Sequence, residues 1–268
     1  QESTGYVDFN NEQKTFALFV TGDTTEIASA TVALAGEQSY TLLSYGSTEV
    51  TNALLAPDAS PNAGNDNFLV RIIDVAAGLP AFDGYFTDPT IPVDSNLSPN
   101  FVGMQSGTSP VALRFGVGTY SLRLTISGSQ SVVFDSGPIV FGGNVSTDFI
   151  LYTLGAASLP QVMRLDVQDG GVEAIVPNLI STARVVNGAV QSGAINVTVA
   201  GTTIATGLAY AVSSLYTLTS AGSLLVSVEA TSTPGAPIAT LQADFPSARE
   251  LSLVVLGLAG AVRILRLR

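Results

Sequence analysis

Cysteine, histidine and tryptophan are absent from this 268-residue chain, and lysine occurs once, as Lys14. Without cysteine there is neither a disulfide nor a thiolate metal centre, and without histidine the commonest general base and metal ligand is missing. Charge is sparse: Asp, Glu, Lys and Arg make up 12% of the residues, against about 25% in ordinary soluble domains. The surface must therefore be built largely from Ser, Thr, Asn, Gln and Gly, a composition common among extracellular β-proteins. The charge that remains is acidic, net −11, which disfavours nucleic acid, where Lys and Arg on phosphates dominate binding.

Long apolar runs are also missing. The most apolar stretch, "LSLVVLGLAGAV" at 251–262, is shorter than the roughly 20 residues that a membrane-spanning helix needs. We expect it to form a buried strand pair, and expect no membrane span in the chain as given. The opening, "QESTGYVDFNNEQKTFALFVTGD", has no methionine, charged n-region or apolar h-region ahead of its first strand-like run. It reads as the product of processing, as in an exported protein after removal of an N-terminal signal.

Catalysis needs an activated nucleophile or paired acids with separated pKa values. Without His or Cys the candidates reduce to Asp and Glu pairs, or a Ser with Lys14, and nothing in the spacing joins such a pair. We expect no enzyme and no cofactor. Calcium is the metal that carboxylates suit, and two stretches bear on it: "PDASPNAGNDN", with Asp58 and Asp66, and a later insertion with Asp88 and Asp94. Neither has the ligand spacing of an EF-hand or a β-roll nonapeptide, and Asp in loops is also a turn former. N-x-Ser/Thr sequons stand at Asn96, Asn144 and Asn196. With Lys14 the sole lysine, isopeptide staples are excluded from all but the first part of the chain.

What is present is 46% hydrophobic residues, 26 glycines and 13 prolines spread along the sequence, with no sustained 3.6-residue periodicity. That is the text of an all-β protein with many short strands and turns. Strand alternation is plain in "INVTVAG", where Ile195, Val197 and Val199 face one way and Asn196 and Thr198 the other.

One pattern occurs three times: strand, polar turn, two further strands, glycine. The copies end at Gly46, Gly155 and Gly257, and the tails "LPQVMRLD" and "AVRILRLR" place Leu165 and Leu267 at the same distance from their glycines. The second and third copies share a beginning, with Arg71 and Arg184 inside matched apolar runs, "FLVRIIDV" and "TARVVNGAV". The first copy has no such beginning. We expect tandem immunoglobulin-like β-sandwiches: 1–60 as a partial unit lacking its opening strands, 67–171 as a unit with a loop insertion near 87–109, and 180–268 as a third. "APDASPNAGND" and "QDGGVEAIVPNLIS" read as linkers, the second with room for a helical turn.

The stretch "ARVVNGAVQSGAINVTVAGTTIATGLAYAVSSLYTLTSAGSLLVSV", followed by "LSLVVLGLAGAVRILRL", resembles repeats of the bacterial domain of unknown function 4397 family. The resemblance implies tandem β-sandwich modules of exported proteins. Family members usually carry a His-x-Ser-Pro-Asp-Ala-Pro-like stretch after the first strand; here the places read "VVNGAVQSGAI" and "IIDVAAGLPAF".

Charge is polarised along the chain. Residues 1–66 hold nine acids and Lys14, whereas the last twenty hold Arg249, Arg263, Arg266 and Arg268 against Glu250. One reading is a solvated face plus an arginine-guarded sheet edge. The sharper one joins an incomplete first unit to strand addition and to a head-to-tail contact that propagates into a filament. On it we expect a non-enzymatic extracellular or cell-surface structural protein whose partners are copies of itself, with Phe16, Leu18, Val20, Arg263, Arg266 and Arg268 at the interface. The alternative is a monomeric exported adhesion or ligand-binding module using the 87–109 loop.

Overall fold

A computed structural model of the chain describes residues 7–10, 12–46, 51–58, 63–153, 159–167, 172–258 and 260–267, the side chains of Thr51 and Val172 excepted. Every regular element among them is a strand, and no helix is long and apolar enough to cross a membrane. The protein is all-β, with its sheets stacked as sandwiches. It divides into two compact units, Gln1–Val176 and Pro177–Arg268; the segments 1–60 and 67–171 fall together in the first.

The first unit opens with two hairpins. Strand β1 (Gln13–Phe19) pairs antiparallel with β2 (Glu26–Ala33), and β3 (Tyr40–Gly46) with β4 (Thr51–Pro57), Leu43 opposite Leu54. Among the described residues each is a two-stranded sheet, and β2 lies against β4.

Ten strands follow: β5 (Asn67–Asp74), β6 (Phe82–Thr87), β7 (Phe101–Met104), β8 (Leu113–Gly116), β9 (Gly118–Ile126), β10 (Val132–Asp135), β11 (Ile139–Phe141), β12 (Val145–Tyr152), β13 (Gln161–Asp166) and β14 (Val172–Val176). They form two sheets, β14-β13-β12-β5-β8 and β10-β9-β6-β7, with β11 also on β9. β5 and β12 run parallel, Arg71 opposite Asp148. Period-2 alternation sends Phe68 and Ile72 of β5 into the space between the sheets, where Phe68 stacks on Phe141 with ring centres 4.4 Å apart and meets Phe86 edge-on. Gly84 stays small because a Cβ there would stand 2.9 Å from Ile72 Cδ1.

The second unit repeats this layout with β15 (Ile180–Val190), β16 (Ile195–Val199), β17 (Thr202–Leu208), β18 (Thr217–Ser220), β19 (Gly222–Ala230), β20 (Pro237–Phe245), β21 (Glu250–Leu258) and β22 (Ala261–Leu267). Its sheets, β18-β15-β21-β22 and β17-β16-β19-β20, enclose Val185, Ile195, Val197, Val226, Val228, Phe245, Leu253 and Val255. β15 and β21 are parallel, Arg184 opposite Ser252, so β15, β21 and β22 correspond to β5, β12 and β13.

Fine detail agrees. Asp83 on β6 accepts the N–H of Gly103, and Asn196 on β16 accepts that of Gly207, both at 2.8 Å; the two glycines have φ of 60° and 59°. In each case a side-chain oxygen pins a glycine whose backbone lies in the left-handed region. Gly46 and Gly257 also match, at φ 113° and 122°. Hence β3 and β4 correspond to β21 and β22, while β1 and β2, which precede them, correspond to β19 and β20. The first hairpins have no counterparts of β5 to β8 among the described residues.

Three expectations change. The second linker carries β14, because Val172, Ala174, Ile175 and Val176 are β-compatible and pair with β13; no helical turn appears among its described residues. In the first linker, Asp58 and Ala63 are buried. The 87–109 loop contains β7, the counterpart of β17, so the true insertion is residues 88–100. It folds over the outer face of β6 and β9, anchored by Arg123, which donates to the carbonyls of Pro89 and Ile91 at 2.7 and 2.6 Å.

A Cβ on Gly257 would lie 2.2 Å from the carbonyl oxygen of Ala261. Gly257→Ala should cost about 2–3 kcal/mol. Gly193→Ala, also at positive φ but with nothing within 4 Å, should cost only about 1 kcal/mol. Urea unfolding of both variants checks the ordering.

Candidate assembly surfaces

The β3–β4 hairpin lies on the outer face of the β5–β12–β13 layer. Leu43, Tyr45, Leu54 and Ala56 of the hairpin pack with Ile73, Val75, Ile150, Tyr152, Met163 and Leu165. At one end of this contact stands Arg71, 3% exposed. Its Nε donates to Asp148 Oδ1 at 2.9 Å, Nη2 donates to Asp148 Oδ2 and reaches Asp58 Oδ1 at 3.4 Å, and Nη1 donates to the carbonyl of Pro57. Asp58 also accepts the Thr41 hydroxyl at 2.7 Å. One buried guanidinium thus joins the strand after the linker to the hairpin before it. Burial pushes the Asp148 carboxyl above its ordinary range, against the hydrogen bonds and charge of Arg71, which favour its ionised form.

The counterpart Arg184 is half-buried. It donates from Nε to Ser252 Oγ at 2.9 Å and lies over the Tyr216 ring at 5.1 Å. Its sheet face is open: Leu256, Leu258, Leu265 and Leu267 are 39–57% exposed. The expected buried strand pair at 251–262 is therefore buried on one side only, through Leu251, Leu253 and Val255.

Of the expected interface residues, Phe16 and Leu18 lie on the half-buried side of β1, and Phe16 meets Phe9 edge-on at 5.5 Å. Val20, just past β1, is 54% exposed. Arg263 is exposed on β22, and Arg266 donates from Nη1 to the Asp244 carbonyl at 2.5 Å. Arg268 lies outside the described residues. Sequence reasoning passed over Asp58 and Asp148 as partners of Arg71; an arginine inside an apolar strand was the available signal, since such a charge needs a buried counter-charge.

Three of the four acids considered for calcium are otherwise engaged. Asp58 serves Arg71. Asp88 and Asp94 each accept a backbone N–H two residues on, from Thr90 and Asn96, both at 2.8 Å, as Asx turns do. Among the described residues no three Asp or Glu side chains gather in a way that would hold a metal. Asp74 is buried at the end of β5, and burial pushes its carboxyl up to about 6, against the hydrogen bond from the Ala76 N–H. A shallow cleft lined by Ile180, Val199, Ala200, Thr202, Leu218, Thr219 and Ser220 offers hydroxyls and no titratable group.

Residues 1–85 match the family model described as Domain of unknown function (DUF4397). The chain is similar to that family over β1 to β5 and most of β6; the stretches that carried the resemblance in the sequence, 183–228 and 251–267, lie outside the match. No curated protein matches the chain.

Arg71→Ala leaves two carboxylates buried without their cation and should cost roughly 3–5 kcal/mol. Arg184→Ala, half-exposed and bonded to a hydroxyl, should cost less than about 1 kcal/mol. Denaturant titrations distinguish the two. For Asp74 the folded state holds the proton more tightly than the unfolded chain, whose ordinary value is 3.8. The stability it contributes is therefore present at low pH and falls as pH rises from about 4 to about 6. Asp74→Asn should remove that component of the pH profile, read as unfolding midpoints across the window.

Proposed function

We propose that the protein is a non-enzymatic structural protein of the cell exterior, built of tandem immunoglobulin-like sandwiches, that assembles head to tail with copies of itself into a filament or surface array. The observation that supports this reading is that β1 and β3 are edge strands among the described residues. β9 and β19 are flanked by β6 and β16, and β12 and β21 by β5 and β15; their counterparts β1 and β3 have no such neighbour among the described residues. The edge of a strand presents unpaired N–H and C=O groups that a strand from another chain satisfies.

The tail supplies a matching edge. β13 is bordered by β14, whereas β22 has no outer neighbour among the described residues and carries Arg263 and Arg266. The nine acids of residues 1–66 favour approach of this basic edge by long-range attraction. A heterologous contact of this kind propagates unless rotation closes it into a ring.

Negative-stain electron microscopy of the purified protein should show filaments or linear oligomers that thin out at high salt, where surface attraction is screened. A strictly monomeric species that resists proteolysis would overturn the reading.

A further inference from the structure

The two outward faces of the second unit differ in chemistry. On the β16–β19–β20 sheet the outward row reads Asn196, Thr198, Ser227, Glu229, Thr240 and Gln242, with Leu225 as its apolar member. On the β15–β21–β22 sheet the outward row holds Val186, Val254, Leu256, Leu265 and Leu267 as an apolar patch, with Arg184 and Ser252 at one end and Arg263 opposite Leu256. A polar face stays wet at no cost. A contiguous apolar face marks a contact surface.

The first unit contains the worked precedent. Setting Gly46 on Gly257 aligns Leu43, Tyr45, Leu54 and Ala56 of β3–β4 with Val254, Leu256, Leu265 and Leu267 of β21–β22. Those hairpin residues pack on Ile150, Tyr152, Met163 and Leu165, which the parallel registers align with the same four positions. The contact in the first unit is thus one face packed against its own counterpart, with the Asp58 end of the hairpin over Arg71. Equivalent faces in mutual contact are what a two-fold, isologous interface requires.

We infer that the outer face of β15, β21 and β22 pairs with the same face of a second copy of the chain, forming a symmetric dimer. The charge pattern fits the pairing. Ser252 stands where Asp148 stands beside Arg71, so Arg184 has no carboxylate at that position of its own sheet. Glu250 occupies the place of Ser39, whose carbonyl accepts the N–H of Asp58 at 2.9 Å, so the second copy brings an acid to the end where Asp58 meets Arg71. This surface is a sheet face, presented by side chains, whereas the filament contact uses the backbone edges of β1, β3 and β22.

Analytical ultracentrifugation of the full chain tests it. The wild type should show a concentration-dependent species of twice the chain mass. Leu265→Glu should weaken that association by about tenfold or more, whereas Leu225→Glu on the opposite face should leave it unchanged; because both side chains are exposed in the single chain, circular dichroism should report unaltered folding. Glu250→Arg should weaken the dimer and Arg184→Glu in the same chain should restore it. A wild type that stays at single-chain mass at every soluble concentration overturns the inference, as does association insensitive to Leu265→Glu. Filaments that persist unchanged in Leu265→Glu overturn the face pairing and leave edge pairing standing, while discrete dimers with no larger species do the reverse.

Discussion

A guanidinium withdrawn from water must find carboxylates, and Arg71 finds them on two separate pieces of chain. Asp148 comes from the neighbouring strand of its own sheet; Asp58 and the Pro57 carbonyl come from the end of the preceding hairpin. The apolar contact of Leu43 and Leu54 with Ile73 and Ile150 supplies the burial, which is non-directional. The ion cluster supplies direction, because only one placement of the hairpin brings Asp58 within reach. Removing either side would strand a buried charge, which is why one arginine ties the first four strands to the sandwich that follows.

The second unit has the same strand order with that constraint relaxed. Ser252 replaces Asp148, and Arg184 leans on Tyr216 instead of entering an ion cluster. The insertion that covers the outer face of β6 and β9 has no counterpart between β16 and β17, where two residues suffice, and the face left bare is polar. Cover and composition therefore track each other on three of the four sheet faces. The fourth, on β21 and β22, is apolar and open.

Much of the fold was legible from alternation and glycine placement. Two of the three glycines that end the repeated pattern, Gly46 and Gly257, take φ values that a side chain disfavours, a real backbone requirement; Gly155 lies outside the described residues. Arg71 and Arg184 were visible as matched charges in apolar runs. Their partners were not, because Asp148 is 77 residues from Arg71 and no local spacing encodes a parallel pairing. β14 hid behind a Gly-Gly pair that reads as a linker, and β7 hid inside a Pro-rich stretch. The one-sidedness of β21 was hidden for another reason: after Glu250 and Ser252 its outward residues, Val254, Leu256 and Leu258, are as apolar as its inward ones, so alternation carries no contrast there.

The parallel pairing also governs when each sandwich closes. β5 opens its sheet and β12 completes its pairing many residues later; β15 and β21 stand in the same relation, with Arg184 and Ser252 68 residues apart. Contacts of such long range are slow to form because loop-closure entropy is spent before they return anything. On a ribosome, which releases the chain from its beginning, β15 must wait beside β16 to β20 until the closing hairpin emerges. For that interval β15 is paired only with β18, through Ile180–Ala183, and its β21 side has no partner strand. In each sandwich the central parallel pair therefore closes last, and one side of its opening strand stays unpaired until the final hairpin is available.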